Sequence, residues 1–287
     1  MTVSTMCSPL AQMTPISLGE LTEVAALQTR VDRKYVVRAE DLDGLISRVE
    51  PQARVLQIGE IRCFAYDSVY FDTPDRTSYL LAARRRRRRF KVRTRTYLDS
   101  SQCWLEVKTR GPRGSTVKNR LPHECSDRAM LAPGRWFVDS IFAQEGIRDG
   151  EEMPLIPSLI TRYHRTTLFL PSTTSRATID TELSWEDPNG LQMKVPGLVI
   201  VETKTGSRAS GLDRILWSAG HRPTRISKFA TGLAALHPEL PTRRWRGTLR
   251  RHFANSVFTH EGSDVGTCEW VGRTAGEKIG EEVGSPA

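Results

Sequence analysis

Eight residues beginning at Phe90, F-K-V-R-T-R-T-Y, constrain the fold more than any other part of the chain. They alternate strictly, with Lys91, Arg93, Arg95 and Tyr97 on one face and Phe90, Val92, Thr94 and Thr96 on the other. A strand of this kind has an apolar side to bury and a cationic side that needs water or anions. The same test repeats elsewhere. In R-V-D-R-K-Y, Arg30, Asp32 and Lys34 share a face, and in C-W-L-E-V-K-T, Trp104, Glu106 and Lys108 oppose Leu105 and Val107. Lys118 pairs with Arg120, Tyr163 with Arg165, and Arg176 with Thr178 and Asp180, while Ile200, Glu202 and Lys204 oppose Val199, Val201 and Thr203. One such strand turns its charges to water. Six or seven together point to a sheet whose apolar faces lie under helices and whose charged faces, if the sheet closes, line a lumen. A lumen rich in cations and poor in acids must hold a polyanion, because unpaired buried charge costs several kcal/mol per ion.

The charge is concentrated accordingly. The whole chain of 287 residues has 42 Lys and Arg against 33 Asp and Glu, a formal net charge of +9. The segment 84–120 alone has fourteen bases and two acids, so the remainder is slightly acidic. Within it, the arginine run 84–89 has no period and reads as a solvated loop, with a nucleic-acid patch disfavoured. No stretch nears the roughly 18 uninterrupted apolar residues of a membrane helix, and residues 1–13 lack the layout of a signal peptide. The expectation is a soluble, cytoplasmic protein without a membrane span. Five cysteines, scattered and without C-x-x-C spacing, argue against a disulfide framework or zinc site. His164 and His221 have no partners at ligand spacing.

Helices are expected at 17–25, opened by a capping-box spacing from Ser17 to Glu20, and at 39–50, 127–144, 212–219, 228–236 and 243–253. Strands are expected at 30–37, 55–58, 68–71, 90–97, 103–109, 117–122, 159–170, 176–183 and 198–203. This is an α+β pattern, mostly antiparallel strands with modest connecting helices, built on a large sheet or barrel. Residues 1–16 read as a flexible N-terminus, 17–257 as one domain, and 258–287, glycine-rich and acidic, as a disordered tail.

In order, R-V-D-R-K-Y, V-Y-F-D-T (69–73), K-V-R-T-R-T-Y, L-E-V-K-T, V-K-N-R, Y-H-R, R-A-T-I-D-T, V-E-T-K and S-K-F (227–229) span about 18–236. In these pieces the sequence resembles the polyphosphate polymerase domain of the vacuolar transporter chaperone (VTC) family, a branch of the CYTH-like triphosphate tunnel metalloenzymes. The resemblance implies an antiparallel β-barrel tunnel with peripheral helices that binds triphosphate or polyphosphate along its axis. It assigns phosphate clamping to Lys34, Arg93, Arg95, Lys108, Lys118 and Lys228, with Arg93, Arg95 and Lys108 nearest the chemistry. Arg165, Arg176 and Lys204 are further wall residues, Glu202 is the metal ligand, and Glu106 and Asp180 are possible additional ones. The implied metal is Mn²⁺ or Mg²⁺, ions that favour carboxylate and phosphate oxygen. The first strand carries one acid, Asp32, where the triphosphatase branches carry two glutamates. That departure favours ATP-dependent polyphosphate synthesis, with ATP and polyphosphate as ligands. A triphosphatase with the same tunnel, or a non-catalytic polyanion binder, are the alternatives.

Overall fold

The structure is a computed structural model, and it describes residues 8–25, 31–111, 116–147, 150, 153–260 and 263–266. The chain runs α1 (Ser8–Gln12), β1 (Thr14–Ile16), α2 (Leu18–Val24), β2 (Val31–Arg38), α3 (Ala39–Ile46), β3 (Arg54–Leu56) and β4 (Phe64–Asp72). It continues through α4 (Thr77–Ala83), β5 (Lys91–Tyr97), β6 (Gln102–Arg110), β7 (Thr116–His123), α5 (Arg135–Gln144), β8 (Ile156–Leu170) and β9 (Ser175–Glu186). The last elements are β10 (Leu191–Lys194), β11 (Leu198–Thr205), α6 (Gly211–Ser218), α7 (Lys228–Leu236), α8 (Arg246–His252), β12 (Val257–His260) and β13 (Ser263–Gly266).

Eight strands form one antiparallel sheet in the order β7-β6-β5-β4-β8-β9-β11-β2. Among the described residues no pairing joins β2 to β7, so the barrel stays open at that seam. The segment 223–227 spans part of the mouth: Thr224 N–H donates to Lys34 C=O at 2.7 Å, and Lys91 Nζ donates to Ser227 Oγ at 2.8 Å.

The alternation decides what each face touches. Outward residues of β2, β9 and β11, such as Tyr35, Ala177, Ile179, Val199 and Val201, pack under α1, α3 and α6. Those of β4, β5 and β6, such as Val69, Val92, Leu105 and Val107, pack under α5. The inner face is itself divided. One part buries Val36, Tyr70, Tyr163 and Ile200 against α7, whose residues are almost all buried, and the rest is polar. Burying an aliphatic or aromatic side chain stabilises by about 1.5–3 kcal/mol, so α7 holds the barrel from inside.

Capping settles the helix positions. Ser17 Oγ accepts from Glu20 N–H at 3.2 Å, as its spacing predicts, but the Glu20 carboxylate turns instead to Arg54, so only half of the expected box forms. A full box appears at α6, where Ser210 and Asp213 bond reciprocally at 2.7 and 3.1 Å. Helix α4 lies outside every expected helix. It is capped by Asp72, whose carboxylate accepts N–H bonds from Thr73, Ser78 and Tyr79 at 2.7–3.0 Å.

Other boundaries also differ. Residues 127–131 form turns instead of helix, and α5 begins after Pro133-Gly134. Residues 8–16, expected to be flexible, fold as α1 and β1, because Leu10 and Ile16 are buried and β1 pairs with β3. The expected start of the tail at 258 falls inside β12, which pairs with β10 and β13; residues 267–287 lie outside the described residues. Cys63, Cys103 and Cys125 are free thiols. Among the described residues no helix is long and apolar enough to cross a membrane.

Candidate functional site

Directly opposed residues share a face of a sheet, and the register brings the cations together. Lys118, Lys108 and Lys91 lie in line across β7, β6 and β5; Arg120, Glu106, Arg93 and Tyr70 form the next row. From the other flank, Lys34 opposes Glu202, and Lys204 opposes Asp32 and Arg176. These rows converge on one cavity of about 790 Å³. Its lining holds fourteen Lys and Arg side chains against two carboxylates, Asp32 and Glu202.

Two further carboxylates are sealed in the wall. Glu106, 1% exposed, accepts from Arg93 Nε at 2.8 Å and Nη2 at 2.5 Å and pairs with Lys118 Nζ at 2.5 Å. Asp180, also 1% exposed, accepts from Arg165 Nε and Nη2 at 2.6 and 2.8 Å and pairs with Lys228. Burial opposes ionisation of both, but the surrounding cations outweigh it and hold both carboxyls well below their usual range. Each therefore stays charged and orients two cations. Arg93 Nη1 also donates to Tyr70 Oη at 2.9 Å, which fixes the guanidinium plane.

The remaining cations repel one another. Lys91 is pushed down to about 7, by burial first and then by Lys34 and Arg93. Lys108 is lowered well below its ordinary value, with Arg93 the leading cause and burial next, and burial pushes Lys228 down to about 8. Among the described residues, the buried Arg95 Nε–H has no hydrogen-bond acceptor. A buried donor left unmade costs about 1–3 kcal/mol. Crowded cations and an unmatched guanidinium donor make a wall suited to an anion.

Of the residues expected from sequence, Lys34, Arg93, Arg95, Lys108, Lys118, Arg165, Lys204, Lys228 and Glu202 line this cavity. Arg176 does not; its Nη2 donates to Leu21 C=O at 3.0 Å. Glu106 and Asp180 are absent from the lining and are committed to Arg and Lys partners, as counter-ions in the wall. Glu202 differs from both. It faces the cavity and, among the described residues, makes no hydrogen bond or close ion pair, although Lys34, Lys204 and Arg165 together keep it ionised against the effect of burial. Among the described residues no three His, Cys, Asp or Glu side chains cluster as a metal site. One open carboxylate in a cation-lined cavity suits a hard divalent cation, which is commonly held by one or two carboxylates with water and anionic oxygens completing the shell. Alternation also placed Lys91 on this face without naming it a binder, and it missed Arg225 and Arg244, which lie off the strands.

Among solved structures, a candidate adenylate cyclase from Bacillus halodurans is 15% identical with TM-score 0.45, covering 69% of this chain and 93% of its own. A Hippeastrum candidate adenylyl cyclase, described as revealing a dominant triphosphatase activity, is 15% identical with TM-score 0.42, covering 75% and 100%. A Vibrio parahaemolyticus candidate adenylate cyclase is 14% identical with TM-score 0.37, covering 67% and 87%. No curated protein matches the sequence. The VTC domain family model matches residues 29–237, the stretch that carries β2 to β11 and α7. The chain belongs to the VTC domain family.

Proposed function

We propose that the chain is a metal-dependent phosphotransferase acting on phosphate chains, and that its reaction is ATP-dependent polyphosphate synthesis. The observation that carries this reading is the convergence of fourteen cations on one cavity that has two carboxylates in its lining. Membership of the VTC domain family agrees with it.

Phosphoryl transfer asks a protein mainly for positioning and for neutralisation of charge on the transferring group. Arg93 and Arg165, held in plane by Glu106 and Asp180, present preset forks to phosphate oxygens, while Lys34, Lys108 and Lys118 act as point charges. The orphaned Nε–H of Arg95 has a partner once a phosphate oxygen enters. Glu202 would hold Mn²⁺ or Mg²⁺, which would supply further positive charge to the transferring phosphate. The attacking oxygen belongs to the terminal phosphate of the growing chain; it bonds to the γ-phosphorus of ATP in line as the β,γ P–O bond breaks and ADP leaves with that electron pair. That oxygen is already ionised and needs no general base.

The test is incubation of the purified protein with ATP and Mn²⁺ or Mg²⁺, with products resolved on a urea gel. A ladder of long phosphate chains is the expected result. Orthophosphate alone would transfer the site to hydrolysis, and no turnover with tight tripolyphosphate binding would make it a polyanion binder.

A further inference from the structure

Beside the large cavity lies a smaller one of about 130 Å³, walled by Arg87, Arg88, Arg89, Thr109, Arg110 and Glu145. Arg89, Thr109 and Arg110 line both, so the two cavities share a wall where β6 ends and the chain enters β5. Arg225 and Arg244 line the large cavity at the same mouth. These guanidiniums crowd each other: Arg244 is pushed down by burial and then by Arg89, Arg85, Arg225 and Arg110. Among the described residues, none of Arg85, Arg87, Arg88, Arg89, Arg110, Arg225 and Arg244 forms an ion pair with a carboxylate.

The arginine run was expected to be a loose solvated loop. Arg84 to Arg88 are exposed, but the backbone is pinned to the end of α4: Arg84 N–H donates to Leu80 C=O and Arg86 N–H to Leu81 C=O, both at 2.9 Å. Arg89 Nη1 folds back onto Arg86 C=O at 2.9 Å. The run therefore presents its charges from a backbone held in place beside the cavity mouth.

We propose that the arginine run extends the phosphate tunnel, holding the part of a long polyphosphate chain that protrudes past Arg89 and Arg110 onto Arg88 and Arg87. The proposal rests on the reading of the large cavity as a phosphate-chain site. Polyphosphate fits this track because it carries charge at every unit, and guanidinium forks bind successive phosphates in pairs of hydrogen bonds. Single-stranded nucleic acid would want aromatic platforms for its bases, and the lining of the smaller cavity has none among the described residues.

The experiment measures equilibrium binding of tripolyphosphate, long-chain polyphosphate, and single- and double-stranded DNA to the full chain and to an Arg87→Gln/Arg88→Gln variant, across a salt series. Both positions are exposed and outside the large cavity, so folding is undisturbed. The variant should lose about tenfold in affinity for the long chain, with a salt slope lower by about 1.5, on the basis of about 0.7–0.9 per phosphate contact. Its tripolyphosphate affinity should equal that of the wild type. Equal losses for both phosphates, or no loss for the long chain, would overturn the track. So would DNA binding that disappears while long-chain binding persists. Failure of the wild type to bind tripolyphosphate would instead defeat the reading of the large cavity.

Discussion

Replacing Glu106 by Gln removes one negative charge from the wall while keeping shape. The carboxylate neutralises Arg93, itself buried, and Lys118, whose side chain is 37% exposed. The exposed lysine adds little, since such pairs are worth about 0–1 kcal/mol. Leaving the Arg93 guanidinium buried without its partner costs about 3–5 kcal/mol. At about 2–4 °C per kcal/mol for a domain of this size, the melting temperature should fall by about 6–20 °C. Glu106 is held below its ordinary 4.5, because Arg93, Arg95, Lys108 and Lys118 outweigh burial. A carboxyl lowered in the folded state contributes stability above its unfolded value and loses it as pH falls, so wild type and variant should converge in strongly acid solution. Tripolyphosphate supplies the missing charge, so its stabilising effect should be larger in the variant. Thermal melts with and without tripolyphosphate, at neutral and acid pH, read all three effects. A variant that melts with the wild type, or gains no more from tripolyphosphate, would refute Glu106 as the counter-ion of this wall.

Arg95→Ala or Lys108→Ala should leave the fold intact and slow turnover by about 10²–10³, the cost of about 2.7–4 kcal/mol for one oriented charge in a transition-state site; steady-state rates beside circular dichroism check this. Glu202→Gln should melt below the wild type, since Lys34, Lys204 and Arg165 hold this carboxyl ionised in the fold, and should lose metal-dependent activity; unchanged metal titration would move the ligand elsewhere. Lys91, lowered to about 7, is half charged near neutrality, and anion binding favours its protonated form. Affinity for tripolyphosphate in the wild type relative to Lys91→Met should therefore fall as pH rises above 7, and calorimetry in buffers of different ionisation heat should detect proton uptake. In α7, a methyl at Gly232 would lie 2.2 Å from Trp185 Cδ1, and Trp185 Nε1 donates to Lys228 C=O at 2.8 Å. Gly232→Ala should cost about 1–3 kcal/mol by overpacking, and in denaturant titrations it should weaken phosphate binding through displaced Lys228.

The cationic face was legible because alternation is a local property of a strand. Once Arg93 is on the inner face, Lys91, Arg95 and the opposed Lys108 follow from register. Curvature is not local, and neither is the partner a side chain finds. Arg225 and Arg244 reach the cavity from a connecting segment and from the approach to α8, where no period marks them. Helix α4 escaped because its capping carboxylate, Asp72, stands six residues before Ser78, outside any capping-box spacing. Arg176 shares the inner face, yet the end of α2 lies within reach of its guanidinium, and Leu21 C=O takes it up.

The carboxylates show most clearly what a strand pattern conceals. Glu106, Asp180 and Glu202 all alternate into the same face as the cations, so all three read from sequence as candidate ligands. Three dimensions divide them by what is within reach. Glu106 lies between Arg93 and Lys118, and Asp180 between Arg165 and Lys228, so their oxygens are spent on holding cations in place. Glu202 has lysines and an arginine near enough to keep it ionised but, among the described residues, none in hydrogen-bond or close ion-pair contact with it. A wall made only of pairs of the first kind would be stable and inert toward phosphate. A wall without them would concentrate charge that no domain with about 5–15 kcal/mol of stability could sustain when empty. The site works between these limits: two sealed carboxylates keep the empty barrel folded, and the surplus of cations, with one open carboxylate among them, remains available to a ligand that brings its own negative charge.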